Sequence, residues 1–217
     1  IKYDNFIVFI NFKKDGLYNY PCHQHDENFH FNLYYKSKPF LTDLNRLNYK
    51  SLNGVDYKSH NTISMDGKGC LPMMFKKLPF NYSKSKNVLN FKFTKNSFKV
   101  LMKSDCFSRL KKNIFYQRLL EINNKNILIS DNIKNHNYSF ITLAFHLCPE
   151  VKLKKIYNNT FQIRNGPTRL NFKINSKKIK KIKNDYVFDY GKKISTNSFV
   201  INNFSKKNFS NKVIIGN

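Results

Sequence analysis

Short stretches in which apolar and polar positions alternate recur along the chain, and long helical stripes do not. From Phe29 to Tyr35 the residues Phe29, Phe31, Leu33 and Tyr35 share one side while His30, Asn32 and Tyr34 share the other. That is the period of a half-buried β-strand. Lys36-Ser37-Lys38-Pro39 reads as a turn, and Phe40-Leu41-Thr42-Asp43 starts a return strand, so the pair predicts a hairpin. Phe6 to Ile10 predicts another strand, as do Leu89, Phe91 and Phe93, the run Ile127 to Ile129, and the alternation Ile141, Leu143, Phe145, Leu147. Similar runs follow at Phe161 to Ile163, Leu170 to Ile174, Tyr186 to Phe188, Phe199 to Ile201 and Val213 to Ile215. Asn, Gly, Pro and Lys break them apart; Asn123-Asn124-Lys125-Asn126 reads as a turn and Asn158-Asn159-Thr160 as a tight hairpin. The pattern predicts an all-β fold: a large antiparallel β-sandwich of two or more stacked sheets, with Phe and Tyr as its bulk.

At 217 residues the chain suits one domain, residues 1–217, with no internal repeat and no linker. It opens at Ile1 within strand-like sequence, which suggests a piece of something longer. No apolar run reaches the length of a membrane helix and no signal peptide is visible, so membrane insertion is not expected.

Charge adds one question. Lys+Arg total 39 against 13 Asp+Glu, a formal +26, which invites a polyanionic partner. Lys, Asn, Ile, Phe and Tyr crowd the sequence while Trp is absent, so a compositional bias with a solvated basic face explains the same numbers. Lys177 to Lys183 reads as one exposed strand face or a solvated tail. A nucleic-acid reading needs aromatic platforms on an open basic sheet, whereas these aromatics alternate as core residues, so no nucleic acid is expected. Cys22, Cys70, Cys106 and Cys148 have no CxxC or zinc-ribbon spacing, leaving two disulfides or four buried thiols. Cys22 beside His23 lacks any nucleophile elbow.

The candidate chemistry is concentrated between His23 and Asp66, where His23, His25, Asp26, Glu27, His30, Asp43 and His60 lie close in sequence. His23 and His25 are two apart, so in extended backbone they leave one side of the chain about 7 Å from each other. The hairpin would carry Asp43 back towards them. Two imidazoles and a carboxylate are ligands of a three-residue zinc site, with His60 as the natural additional imidazole. A His-x-His pair is equally a polar, hydrogen-bonded strand end.

The string HQHDENFHFNLYYKSKPFLTD, followed by NY and then SHNTISMDG, resembles the C-terminal domain of the heparinase II/III-like polysaccharide lyases. Arg118, the Ile129-Ser130-Asp131 run and Phe145 to Pro149 are similar to that family's later strands, so the likeness is clearest over residues 4–155. It implies that His23 is catalytic and that His25, Asp43 and His60 surround a structural zinc. Glu27 stands where the family usually has Asp and would support the ligands by hydrogen bonding over a longer arm. Gln24 replaces the usual Gly, and His30 stands where Ser is common. Tyr49 and Arg118 are the candidate substrate contacts, Arg118 towards a carboxylate; a strand-face role is the other reading of Arg118. His146 reads as a hydrogen-bonded sheet residue.

The resemblance further implies β-elimination on a uronate-containing acidic polysaccharide, in a cleft completed by an N-terminal helical toroid that these residues do not include. A periplasmic or other extracytoplasmic location goes with that chemistry. Two alternatives remain. One is a non-catalytic remnant that binds acidic glycan through its basic residues; the other is a cupin-like metal protein, although His30 stands where a cupin has Glu.

Overall fold

The computed structural model describes residues 1–12, 25–45, 56–70, 85–134, 137, 139–176, 178–189 and 191–217. Among them sixteen strands run in chain order. They begin with β1 (Lys2–Tyr3), β2 (Phe6–Ile10), β3 (Phe31–Tyr35), β4 (Lys38–Leu41), β5 (Ile63–Met65), β6 (Asn87–Thr94), β7 (Ser97–Ser104) and β8 (Phe115–Ile122). They continue with β9 (Asn126–Lys134), β10 (Ser139–His146), β11 (Lys152–Tyr157), β12 (Thr160–Asn165), β13 (Thr168–Ile174), β14 (Ile179–Asp189), β15 (Lys192–Ser205) and β16 (Phe209–Gly216). All-β architecture in stacked antiparallel sheets is therefore what the alternation predicted.

One layer is an eight-stranded sheet in the order β11-β12-β13-β16-β9-β8-β7-β6. The other is built from two four-stranded sheets, β1-β2-β3-β4 and β14-β15-β10-β5. A bridge between Leu41 and Leu147 joins these two edge to edge, with Thr42 N–H donating to His146 O and Cys148 N–H to Phe40 O, each at 3.0 Å. Aromatic rings fill the space between the layers. Phe172 of β13 stacks on Phe199 of β15 at 4.8 Å between centroids, Phe145 meets both Phe172 and Phe31, and Phe29 packs on Tyr116 at 5.3 Å. All of these rings are fully buried, and burial of each contributes about 1.5–3 kcal/mol.

The hairpin that organises the candidate site is tighter than the sequence predicted. Only Lys36 and Ser37 form its turn, at φ 48° and 60°, while Lys38 and Pro39 already belong to β4. Two left-handed residues are what a two-residue primed turn requires, because its twist then matches the strands. Proline is tolerated because β4 is the last strand of its sheet and the ladder shifts register there. The lysine-rich run from Ile179 onward is part of β14, not a tail. The aromatics are not all core: Phe91 and Phe93 of edge strand β6 are 55% and 76% exposed, against 3% for their ring partner Phe98.

Candidate functional site

The site lies where the approach to β3, the end of β4 and the approach to β5 meet over β8. Arg118 of β8 makes that meeting possible. Its Nε and Nη2 donate to the two carboxylate oxygens of Asp131 at 2.7 and 3.1 Å, directly across the strand pair. Its Nη1 donates to Phe29 O at 2.8 Å and Asn61 O at 2.6 Å, pinning the two segments that carry His25 to His30 and His60. Tyr116 Oη also donates to Asp131, at 2.8 Å. The Arg118 side chain is wholly buried, and burial, which opposes its charge, is outweighed by Asp131, so it stays protonated. This corrects the expectation of a substrate contact: the guanidinium is spent inside the protein and has no surface to offer a ligand.

Asn61 is the second support, and it too is fully buried. Its amide nitrogen donates to Phe31 O at 2.8 Å and Thr42 O at 3.0 Å, and its amide oxygen accepts from His146 N–H at 2.6 Å. Its backbone N–H donates to His30 Nδ1 at 2.8 Å. Thr62 Oγ1 donates to Asn28 O at 2.6 Å, closing the same seam. Sequence reasoning met Asn61 and Thr62 only as part of the SHNTISMDG string and gave neither a role of its own. Their signal was that motif and the polar side chains between His60 and the apolar strand that follows.

Around these supports the histidines and carboxylates converge. His60, fully buried, shares Nδ1 with Asp43 Oδ2 at 2.8 Å, and its ring centroid lies 5.7 Å from that of His25 and 5.4 Å from that of His30. Two groups have one ligand atom from each member within 4.8 Å of the others: His25, Glu27 and His60, and His30, Asp43 and His60. His60 is the common member. The expected trio is thus brought together around His60, but His25 and Asp43 fall in different groups. His23 and Tyr49 lie outside the described residues, as do Cys22 and His136.

Protonation separates the two groups. His30 accepts at Nδ1 from Asn61, so Nε2 bears its proton and faces Asn32 Oδ1 at 3.1 Å. Burial pushes His30 down to about 4 despite the attraction of Asp43, so it stays neutral with both nitrogens engaged. Burial opposes the Asp43 charge, yet the hydrogen bond and charge of His60, with His30 and the Asn45 amide, hold its carboxyl down at about 2. Burial would lower His60, but Asp43 first, then Glu27 and Asp26, raise it above the usual value. Among the described residues, His60 Nε2 is buried with no hydrogen-bond partner. Such an atom beside an imidazole and a carboxylate suits a divalent metal, and an Asp–His pair behind it is the usual way of orienting a ligating imidazole. The donor set fits zinc.

His146 is the sheet residue expected, bonded through Nδ1 to Ser198 Oγ at 2.8 Å and lowered by burial to about 3. His30 and His146 both bind protons less readily folded than unfolded, so their stabilising contribution is full above about pH 6.5 and falls as pH drops towards 4 and 3. The loss is of order 3 kcal/mol for each. Urea midpoints measured from pH 7 to pH 4 should therefore fall, and less steeply in His146→Asn; equal slopes in the two proteins would reject the assignment for His146.

A disulfide holds the outer wall. Cys70 and Cys106, with Cα atoms 5.1 Å apart, are bonded, whereas Cys148 is a buried free thiol raised by burial and Glu150 to about 12. The disulfide tethers the segment after β5 to the 3-10 turn Cys106–Arg109, and Arg109 donates to Gly69 O and Cys70 O. Gly69 lies so close to the Asp26 carboxylate that any side chain there would collide with it.

The heparinase II/III-like, C-terminal family model matches residues 13–213, so the likeness extends past residue 155 through most of β16. No curated protein matches the chain at significant similarity. Among solved structures, the heparan sulfate lyase HepC from Pedobacter heparinus superposes with a TM-score of 0.71 at 14% identity, over 89% of this chain and 31% of that one. One heparinase III gives 0.72 at 14% identity over 98% and 35%, and another gives 0.68 at 18% over 89% and 30%. The chain thus spans about a third of the length of these neighbours, and at such identity they establish the fold. With the family match covering nearly every strand and the histidine seam in place, this chain belongs to the heparinase II/III-like C-terminal domain family.

Proposed function

We propose that this chain is the β-domain of a polysaccharide lyase that cleaves a uronate-containing polymer by β-elimination. The observation that carries the reading is the convergence of His25, Glu27, His60 and Asp43 at the sheet rim of a chain matched over residues 13–213 by this family. In the reaction the C5 proton of the uronate is removed, the C4–O bond breaks, a C4=C5 double bond forms, and the leaving oxygen takes a proton. The barrier lies in making a carbanion beside a carboxylate, so the site must neutralise that carboxylate and move protons. His23 is the residue of this chain assigned to proton transfer, since an imidazole titrates near neutrality. A helical toroid supplies the opposite wall of the cleft and the remaining acid-base groups, and Tyr49 contacts sugar.

The metal assigned here is zinc, held by His25, Glu27 and His60, with Asp43 fixing the orientation of His60. It would supply positive charge and tie the segments before β3 and β5 together. Asp43 is assigned the supporting role, and Glu27 the ligating one, because Asp43 already occupies His60 Nδ1 and Glu27 shares the group on the side of His25. The Cys70–Cys106 disulfide supports an extracytoplasmic location.

The test is ultraviolet absorbance of unsaturated uronate released from heparan sulfate and other uronate polymers by the full-length gene product. Release that His23→Ala abolishes is expected. Binding without turnover in the full-length product would replace the lyase with a non-catalytic acidic-glycan module.

A further inference from the structure

Away from the histidine seam, a cleft of about 620 Å³ opens at the edge where β11 and β12 of one layer face β14 of the other. Leu153, Phe161 and Ile179 form its floor, and Lys155, Lys181, Asn158 and Asn159 line its mouth. The register explains how two lysines reach it. Lys155 lies opposite Phe161, and Lys181 opposite Phe199; residues directly opposite in an antiparallel pair share a face. Phe161 and Phe199 are core rings packed on each other across the layers at 4.6 Å. Each lysine therefore stands on the inward face of its strand, beside one member of that ring pair.

A single inward lysine on an edge strand protects it against pairing with another sheet. Here both edges carry one at the same mouth, along with two side-chain amides that such protection does not need. Among the described residues the lysine ion pairs belong to Lys99, Lys111, Lys192 and Lys193, so neither mouth lysine has a carboxylate partner. Between Lys152 and Arg164, and again between Lys178 and Lys183, the sequence holds no Asp or Glu. Two like charges lining one mouth beside apolar side chains are complementary to an anion, and the volume suits a small ligand.

We infer that this cleft is a second binding site for an acidic sugar of the polymer, its carboxylate or sulfate between Lys155 and Lys181, its hydroxyls on Asn158 and Asn159, and its ring over Leu153, Phe161 and Ile179. The identity of the ligand rests on the acidic-polysaccharide reading above. β12 is four strands from β8 in the same sheet, about 19 Å at the usual strand spacing. The site thus holds the chain beyond the point of cleavage and raises affinity for long substrates.

The experiment is fluorescence anisotropy with a labelled heparan sulfate oligosaccharide at physiological salt, on the full-length gene product and its Lys155→Gln/Lys181→Gln variant. Both side chains are exposed, so folding should be unchanged, and thermal unfolding of the variant checks that. The double variant should weaken binding about tenfold or more, the size expected for losing charged hydrogen bonds. A de-sulfated oligosaccharide separates carboxylate from sulfate recognition. In turnover, KM for long polymer should rise while cleavage of short oligosaccharides stays as it was. Unchanged oligosaccharide affinity in the variant overturns the site even if the protein proves to be a lyase. An equal loss for single-stranded DNA overturns the sugar assignment and leaves a general polyanion patch. Absence of any unsaturated product fails the lyase reading alone, because the lysine-dependent difference in sugar binding is measured without turnover.

Discussion

Arg118→Met should destabilise the domain by about 3–5 kcal/mol, the range for breaking a buried ion pair from one side. The substitution strands the Asp131 carboxylate in the core, where only Tyr116 Oη would still donate to it among the partners named above. It also frees Phe29 O and Asn61 O, so the segments bearing His25, Glu27 and His60 lose their common anchor. Against a typical total of about 5–15 kcal/mol, such a loss is visible as a large fall in urea midpoint. The companion Arg118→Met/Asp131→Leu removes the stranded charge and should recover a good part of the loss, while the two orphaned carbonyls keep it below the unsubstituted protein. A midpoint within about 1 kcal/mol of the original for Arg118→Met alone would mean that the pair is not the pillar described.

Metal content should give the second large effect. The purified full-length product is expected to carry about one equivalent of zinc, and His25→Ala or Glu27→Gln should remove it. Asp43→Asn should leave a bound metal with affinity lowered about 10–100-fold, the usual effect of disturbing the partner that orients a ligating histidine. Both carboxylate variants are close in shape to the originals, so elemental analysis after dialysis reads charge and coordination rather than packing. Full retention of zinc by Glu27→Gln with complete loss in Asp43→Asn would reverse the two roles and return Asp43 to the ligand set. Retention in His25→Ala and His60→Ala together would remove the metal altogether.

Glu27 and Asp43 also show where sequence reading stops. Both residues, and both histidines, were identifiable as candidates from their clustering in the chain and from the family motif, because residue types and their order survive in a linear string. Which carboxylate stands against His60 Nδ1 depends on a hairpin turn of two residues rather than four, and on the end of β4 that it places. Arg118 was visible as a strand residue with a polar head. Its burial followed from a cross-layer contact to Phe29 and Asn61, 89 and 57 positions away.

The sequence by itself determined most of the strands, the alternating burial of Phe31 to Tyr35, and the family, since alternation of side chains is a local property with a period of two. Tertiary structure alone decided which strand faces meet. It turned Arg118 inward against Asp131, made Asn61 the hub of a hydrogen-bonded seam, paired Cys70 with Cys106, and brought Lys155 and Lys181 from opposite layers to one mouth. The physical reason is that a buried polar group is satisfied by whatever partner the fold delivers, and for these residues most of that partner set is distant in sequence.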